Sequence, residues 1–259
     1  MTIHPLSQIH PEAKIAPNVE IGPFVFIDKN VEIGSGTTIT ANVTILEGSR
    51  IGENSKIFPG AVIGAIPQDL KFKGEDTLAI IGNNTTIREC VTVNRGTVAK
   101  GKTVVGNNCL LMAYSHVAHD CIIGDSVIIA NATQLAGEVE IDDFAILGGG
   151  TLVHQFCRIG AHVMIQGGSK VSKDIPPYCT AAREPISFVG VNSIGLKRRG
   201  YTNEQINMIQ DIYRIVFQSK LNTSNAIAKV IETISESAER DLIIEFIQAS
   251  ERGIIKGFI

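Results

Sequence analysis

The sequence predicts a mostly β chain: a solenoid of short stacked strands over residues 1–177, a connector over 178–190, and an α-helical domain over 191–259. The first reason is a period of six. Ile3, Ile9, Ile15, Ile21, Ile27, Ile33, Ile39, Ile45, Ile51, Ile57 and Ile63 are spaced six apart, and the same register runs on to Val171. Of the 29 positions from 3 to 171, 26 are Ile, Leu or Val; only Asp69, Glu75 and Ala99 break it. An amphipathic helix repeats every 3.6 residues and a lone strand every two, so a strict period of six marks a stack of like units. The second reason is a small or β-branched residue four places after each anchor, such as Val19, Thr37, Ser55, Cys109 and Cys157. Strand alternation puts anchor and anchor-plus-four on one face, so large and small residues together fill a narrow interior. The third is a change of period after Val171, where apolar residues fall at helical spacing.

Along the chain, six extended residues span ~20 Å at most. Three such edges closing a coil would make a triangular prism of about 18 residues per turn. Gly follows many anchors, as in Ile21-Gly22 and Ile123-Gly124, and suits a corner. The hexads lapse near 66–80 and again over the basic stretch 94–104, then resume in register, as loops thrown out of a coil edge would. Rigid scaffolds carry added function on such loops. Asp174-Ile175-Pro176-Pro177 ends the solenoid. Thr202 with Gln205 fits a capping box, and Ile206, Ile209, Ile212, Tyr213 and Val216 form an apolar stripe behind it. A second helix is expected from about Ser224 to Glu236, with Ile227, Val230, Ile231 and Ile234 inward. A third is expected from about Glu239 to Glu251, ended by Gly253. Such a domain would cover strand edges at an open end of the solenoid.

The 259 residues carry a net charge of −3 with both signs mixed, which gives no footing for nucleic acid. No basic-then-apolar leader opens the chain and no apolar run approaches ~18 residues, so neither a signal peptide nor a transmembrane segment is expected, and the compartment is cytoplasmic. Five cysteines show no CxxC pairing. Cys109, Cys121 and Cys157 hold the small interior position, where a thiol packs as a small hydrophobe.

Chemistry concentrates in Ser115-His116-Val117-Ala118-His119-Asp120-Cys121, where two histidines and a carboxylate lie between interior anchors. Neither histidine is at an interior position, so both face outward, as ordinary surface residues or as catalytic ones. Taken with Gln68-Asp69-Leu70-Lys71, Arg95-Gly96-Thr97, Val153-His154-Gln155-Phe156, Gly160-Ala161-His162 and Gly195-Leu196-Lys197-Arg198-Arg199-Gly200, the segment resembles, over the whole chain, the UDP-N-acetylglucosamine acyltransferases that begin lipid A synthesis. These are hexapeptide-repeat enzymes built on a left-handed parallel β-helix, and the handedness comes from the resemblance, since crossover rules favour the other hand.

The resemblance implies transfer of an (R)-3-hydroxyacyl chain from acyl carrier protein to the glucosamine 3-hydroxyl of UDP-N-acetylglucosamine. It implies a homotrimer with sites in clefts between prisms, and no metal or organic cofactor. His119 matches the general base, Asp120 the acid that positions it, and Gly137 the backbone N–H that meets the oxyanion. Asp69 and Lys71 match acceptor contacts, His116, His154 and Gln155 active-site surfaces, Asn192 and Arg198 nucleotide contacts. Gly167 matches the position that limits acyl length, and glycine there implies a long chain. Glu138 and Asn94 stand where His is common, and Ile194 where Glu is expected. A 3-amino sugar acceptor, giving an amide, therefore stays open. The related N-acyltransferase of the same pathway carries a further domain before its solenoid, whereas here the hexads start at Ile3. A γ-type carbonic anhydrase would need three zinc-binding histidines on this scaffold. A non-enzymatic solenoid would leave the loops and the His119 segment without a purpose.

Overall fold

A computed structural model describes residues 2–257. The hexads become two-residue strands, from Thr2–Ile3 and Gln8–Ile9 to Lys170–Val171, joined by tight corners. Each strand pairs in parallel with the strand one coil on: Thr38↔Lys56 and Ile39↔Ile57, or His116↔Gln134 and Val117↔Leu135. Three parallel stacks result, with Ile3, Ile9 and Ile15 each opening one of them. They are called sheets one, two and three in that order.

Anchors and anchor-plus-four residues fill the prism: Ile27, Ile45, Ile57, Val91, Leu111, Ile129 and Val163 are fully buried. The first coil is the open end, and Ile3 is 39% exposed. The polar interior residues do more than fit. Along one inner corner the Thr37 and Ser55 hydroxyls donate to the carbonyls of Gly52 (2.8 Å) and Gly82 (3.0 Å). Thr85 continues the row onto Gly106, and the Cys109 thiol donates to Gly124 at 3.1 Å. Interior thiols are thus weak donors as well as fillers. Burial pushes Cys109 and Cys157 up to about 11 and Cys121 up to about 12, which keeps them protonated and unreactive.

The corner conformation differs from expectation. The left-handed residue is the third after most anchors, at φ of 51–65° where it is not glycine, as in Asn42, Asn54, Tyr114, Asp120, Glu138 and His162, and at 69–83° where it is, as in Gly36 and Gly150. Asn is frequent there because its short side chain tolerates this region. The glycines right after the anchors serve close packing instead: a methyl on Gly34 or Gly82 would fall 2.6 Å from the next coil's backbone.

At the far end, residues expected as a connector form a β-hairpin, Cys179–Ala182 with Ser187–Val191, that extends sheet one. Pairing with the last sheet-one strand at Met164↔Thr180 satisfies its backbone groups, which a connector would have left open. Four helices follow: α1 (Ser193–Arg198), α2 (Asn203–Gln218), α3 (Thr223–Thr233) and α4 (Ala238–Gln248). Thr202 and Gln205 form the capping box, and Ile206, Ile209, Ile212 and Tyr213 are buried. Ile227 and Val230 of α3 point inward, but Ile231 is 52% exposed, since it lies one residue round from the buried stripe. Asp174 clasps the solenoid to the last segment, accepting from Arg158 N–H (2.9 Å) and from the Ser250 hydroxyl (2.6 Å). No helix among the described residues is long and apolar enough to cross a membrane.

Candidate active site

Both hexad interruptions leave the prism at one corner, where sheet two passes into sheet three. The first separates Val62–Ala65 from Leu78–Ile81, and the second separates Thr92–Asn94 from Lys102–Val105. One coil further, the same corner carries His119 and Asp120; the next coils place Gly137 and then Gln155 there. A cleft of about 760 Å³ runs along this corner and the outer face of sheet two. His116, His119, Gly137, His154 and Gln155 line it, joined by Gln68 from the first loop. Its far wall is the hairpin tip, Glu184 to Ile186.

His119 is the centre of a chain of contacts. Its Nδ1 lies 2.8 Å from Asp120 Oδ2. Asp120 is fully buried, and burial alone would raise its carboxyl. The Thr97 hydroxyl and His119 outweigh that and hold it below the usual carboxylate range. An ionised carboxylate only accepts, so His119 Nδ1 carries a proton, and in the neutral imidazole the lone pair is then on Nε2. That ring sits directly over Gly137: a methyl there would fall 2.6 Å from both Cε1 and Nε2. Glycine at 137 is therefore required by the imidazole itself.

The Gly137 N–H has no hydrogen-bond partner among the described residues. Its place in the repeat explains this. Two residues after each anchor, the N–H points out of the coil, and at the next corner round an Asn or Asp one coil on accepts it. Glu53 gives to Asn83, Asn83 to Asn107, Asn107 to Asp125 and Asp125 to Asp143, at 2.7–2.8 Å. Below Gly137 the equivalent residue is Gln155, which leaves the amide open toward the cleft. His116 lies on the strand that leads into this corner, with Nδ1 2.7 Å from the hydroxyl of Thr92 one coil before. Burial and the nearby His119 lower its titration, so it is neutral at pH 7.

Other expected site residues fall elsewhere. Asp69 closes a turn in the first loop, accepting from Lys71 N–H at 2.9 Å, and neither residue lines the cleft. Asn192 caps α1 through Gly195 N–H (3.1 Å) and donates to the His162 carbonyl (2.9 Å), so both ends of its amide are engaged. It stands with exposed Arg198 near the corner between sheets three and one. Gly167 is exposed at the remaining corner, between sheets one and two. Glu138 turns away from the cleft toward Lys100, Glu140 and Arg158 on the sheet-three side. Asn94 is buried at the root of the first loop, donating to the Ile66 carbonyl at 3.1 Å, and Ile194 is 69% exposed on α1. Of the departures from the family pattern, none lines the cleft.

The sequence reading missed three features. Thr97 holds Asp120, Gln68 reaches the cleft, and the hairpin tip walls it. Thr97 and Gln68 fall within segments that carry the family resemblance, though no role attached to either, and the hairpin tip left no trace.

Residues 174–255 match the family described as UDP N-acetylglucosamine O-acyltransferase, domain 2, and residues 102–137 match the bacterial transferase hexapeptide of six repeats. Residues 3–107 match the profile described as the GMPPB C-terminal domain. A relative from Thiobacillus denitrificans, named acyl-[acyl-carrier-protein]–UDP-N-acetylglucosamine O-acyltransferase, is 46% identical over 98% of this chain and 99% of its own. The chain belongs to the UDP-N-acetylglucosamine O-acyltransferase family. The crystal structure of a member from Bacteroides fragilis superposes with a TM-score of 0.98 at 60% identity, covering 98% of this chain and 100% of that one. One from Francisella novicida gives 0.96 at 40% identity, covering 98% and 94%. The solenoid is thus the left-handed parallel β-helix expected of this acyltransferase family.

Proposed function

We propose that this acyltransferase moves an (R)-3-hydroxyacyl chain from acyl carrier protein to the 3-hydroxyl of UDP-N-acetylglucosamine, with the cleft at His119 as the reacting centre. The observation that carries this is one arrangement: an imidazole anchored by a buried carboxylate, its Nε2 lone pair over a glycine whose N–H is unpaired. Nε2 takes the hydroxyl proton as the alcohol oxygen attacks the thioester carbonyl. The tetrahedral oxyanion then meets the Gly137 N–H, a donor already in place before charge develops. Collapse breaks the C–S bond, and the leaving thiolate takes the proton back from the imidazolium. Asp120 stabilises that imidazolium while it exists. His116, neutral beside the base, with His154 and Gln155, would bind and orient substrate.

The nucleotide contacts Asn192 and Arg198, the acceptor contacts Asp69 and Lys71, and the acyl-length position Gly167 lie outside the single-chain cleft. A homotrimer resolves this, since neighbouring prisms would bring further corners to each cleft. A long acyl chain fits a glycine at 167. Acting on a carrier-protein thioester, the enzyme would work in the cytoplasm.

The test is transfer from a series of 3-hydroxyacyl carrier proteins to UDP-N-acetylglucosamine by wild type and His119→Ala. A loss of at least ~10²-fold with assembly intact supports the base. Robust transfer by the mutant sinks that role, and wild-type transfer only to the 3-amino analogue would reassign the acceptor.

A further inference from the structure

We propose that Thr97 is a positioning residue for the transfer: its hydroxyl and its amide together fix the Asp120 carboxylate against the His119 ring. This rests on the general-base reading of His119 given above.

Asp120 belongs to a coil corner at φ 60°, yet its carboxylate is held from the preceding coil. Thr97 N–H donates to Oδ1 at 2.9 Å and the Thr97 hydroxyl to Oδ2 at 2.7 Å. Lys100 N–H adds a longer bond to Oδ1, 3.2 Å. The second interruption of the hexads is therefore a cradle. Its turn is closed by Gly101 N–H onto the Thr97 carbonyl at 2.7 Å.

The cradle is itself pinned. Arg95 N–H reaches the Ala65 carbonyl (2.9 Å), Gly96 N–H that of Leu78 (3.1 Å), and the Thr77 hydroxyl that of Gly96 (2.6 Å). A methyl on Gly96 would fall 2.3 Å from Lys102 N, so the backbone runs as close as it can. The root of the first loop and the turn of the second are thereby one unit, and Gln68 enters the cleft from that unit.

The Lys100 ammonium does not compensate the carboxylate directly; its Nζ bonds Glu140 at 2.8 Å. The hydrogen bonds on Asp120 come from neutral Thr97 and Lys100 donors and from the imidazole. Oδ2 is shared between the Thr97 hydroxyl and His119 Nδ1. Withdrawing the hydroxyl leaves that oxygen a stronger partner for imidazolium and a less constrained one. The base would then hold its proton more tightly and meet the substrate in a wider spread of orientations.

The experiment is steady-state kinetics against pH on the full-length protein for wild type, Thr97→Val, Thr97→Ser and His119→Ala. Thr97→Val keeps the shape and the amide but removes the hydroxyl. The expected result is a fall in kcat of about tenfold with both KM values unchanged, and an acid limb of kcat/KM moved up by about half a pH unit. Thr97→Ser restores both. Other titratable groups facing the pair are untouched: His116, His154, Lys170 and Glu184 around the cleft, Cys121, Lys100 and Glu140 behind Asp120. A loop staple without a positioning role would change thermal stability and leave the pH profile alone. Wild-type kcat and pH profile in Thr97→Val, beside an inactive His119→Ala, overturn this inference and spare the base. Full activity in His119→Ala overturns the base and this inference with it. Should Val distort the turn, Thr97→Ala carries the same comparison with Thr97→Ser.

Discussion

His119, Asp120 and Gly137 show how little of a site a residue's identity states and how much its position in the repeat adds. Outward placement of His119 follows from anchor counting, and the pairing with Asp120 follows from adjacency. That Asp120 is fully buried does not, because nothing in a corner residue announces that a loop from the preceding coil will close over it. Gly137 is a comparable case. Its absent side chain makes room for the imidazole, so Gly137→Ala should displace the ring by forcing a contact at 2.6 Å. The expected outcome is a kcat reduced by about 10–100-fold, while the corner, whose left-handed residue is Glu138 rather than Gly137, stays folded. A crystal structure of the variant with an unmoved His119 and full activity would refute this.

Elements were legible wherever a period governs them, and illegible where a single pairing does. The prism and most of the apolar stripe of α2 are periodic, and the capping box of α2 is a motif local to four residues. The hairpin over Cys179–Ala182 and Ser187–Val191 is neither, since its strands are set by an open sheet edge that only the assembled solenoid provides. The base of the same hairpin, where Asn192 N–H bonds the Tyr178 carbonyl, adjoins the corner between sheets three and one. There His162 stacks between Phe144 (4.9 Å) and Tyr178 (5.5 Å), with the Tyr201 hydroxyl 3.2 Å from Nε2. Burial, aided by Arg199, pushes His162 down to about 4, with Asp143 opposing only weakly. An unfolded histidine titrates near 6.5. Between those values the unfolded chain binds the extra proton, so stability is complete above about pH 6.5 and declines toward pH 4. The loss is on the order of 3 kcal/mol. His162→Phe keeps the stack and removes the proton site. Its Tm should lose less than wild type between pH 6.5 and 4, and parallel Tm curves would show that His162 does not drive the decline.

At the scale of the molecule, the prism distributes the candidate site residues over three corners. His119 and Gly137 share one corner with both loops; Arg198 lies near a second and Gly167 at a third. An edge of about six extended residues separates corners by as much as ~20 Å, so the proposed nucleotide contacts and the proposed base of one chain stand at different corners. The proposed trimer makes a definite forecast, because a ring of heterologous contacts gives each cleft the base corner of one chain and the nucleotide corner of its neighbour. His119→Ala and Arg198→Ala each remove one contribution. Co-assembled from an equal mixture, a cleft is intact only when its base comes from an Arg198→Ala chain and its nucleotide contact from a His119→Ala chain. Random assortment gives about one cleft in four. Transfer should therefore return to roughly a quarter of wild type on mixing under conditions that allow subunit exchange, though each variant alone is nearly inactive. If both residues act within one chain, every cleft lacks one of them and mixing restores nothing. The size of the recovered rate, measured beside a native mass confirming three chains, decides between the two arrangements.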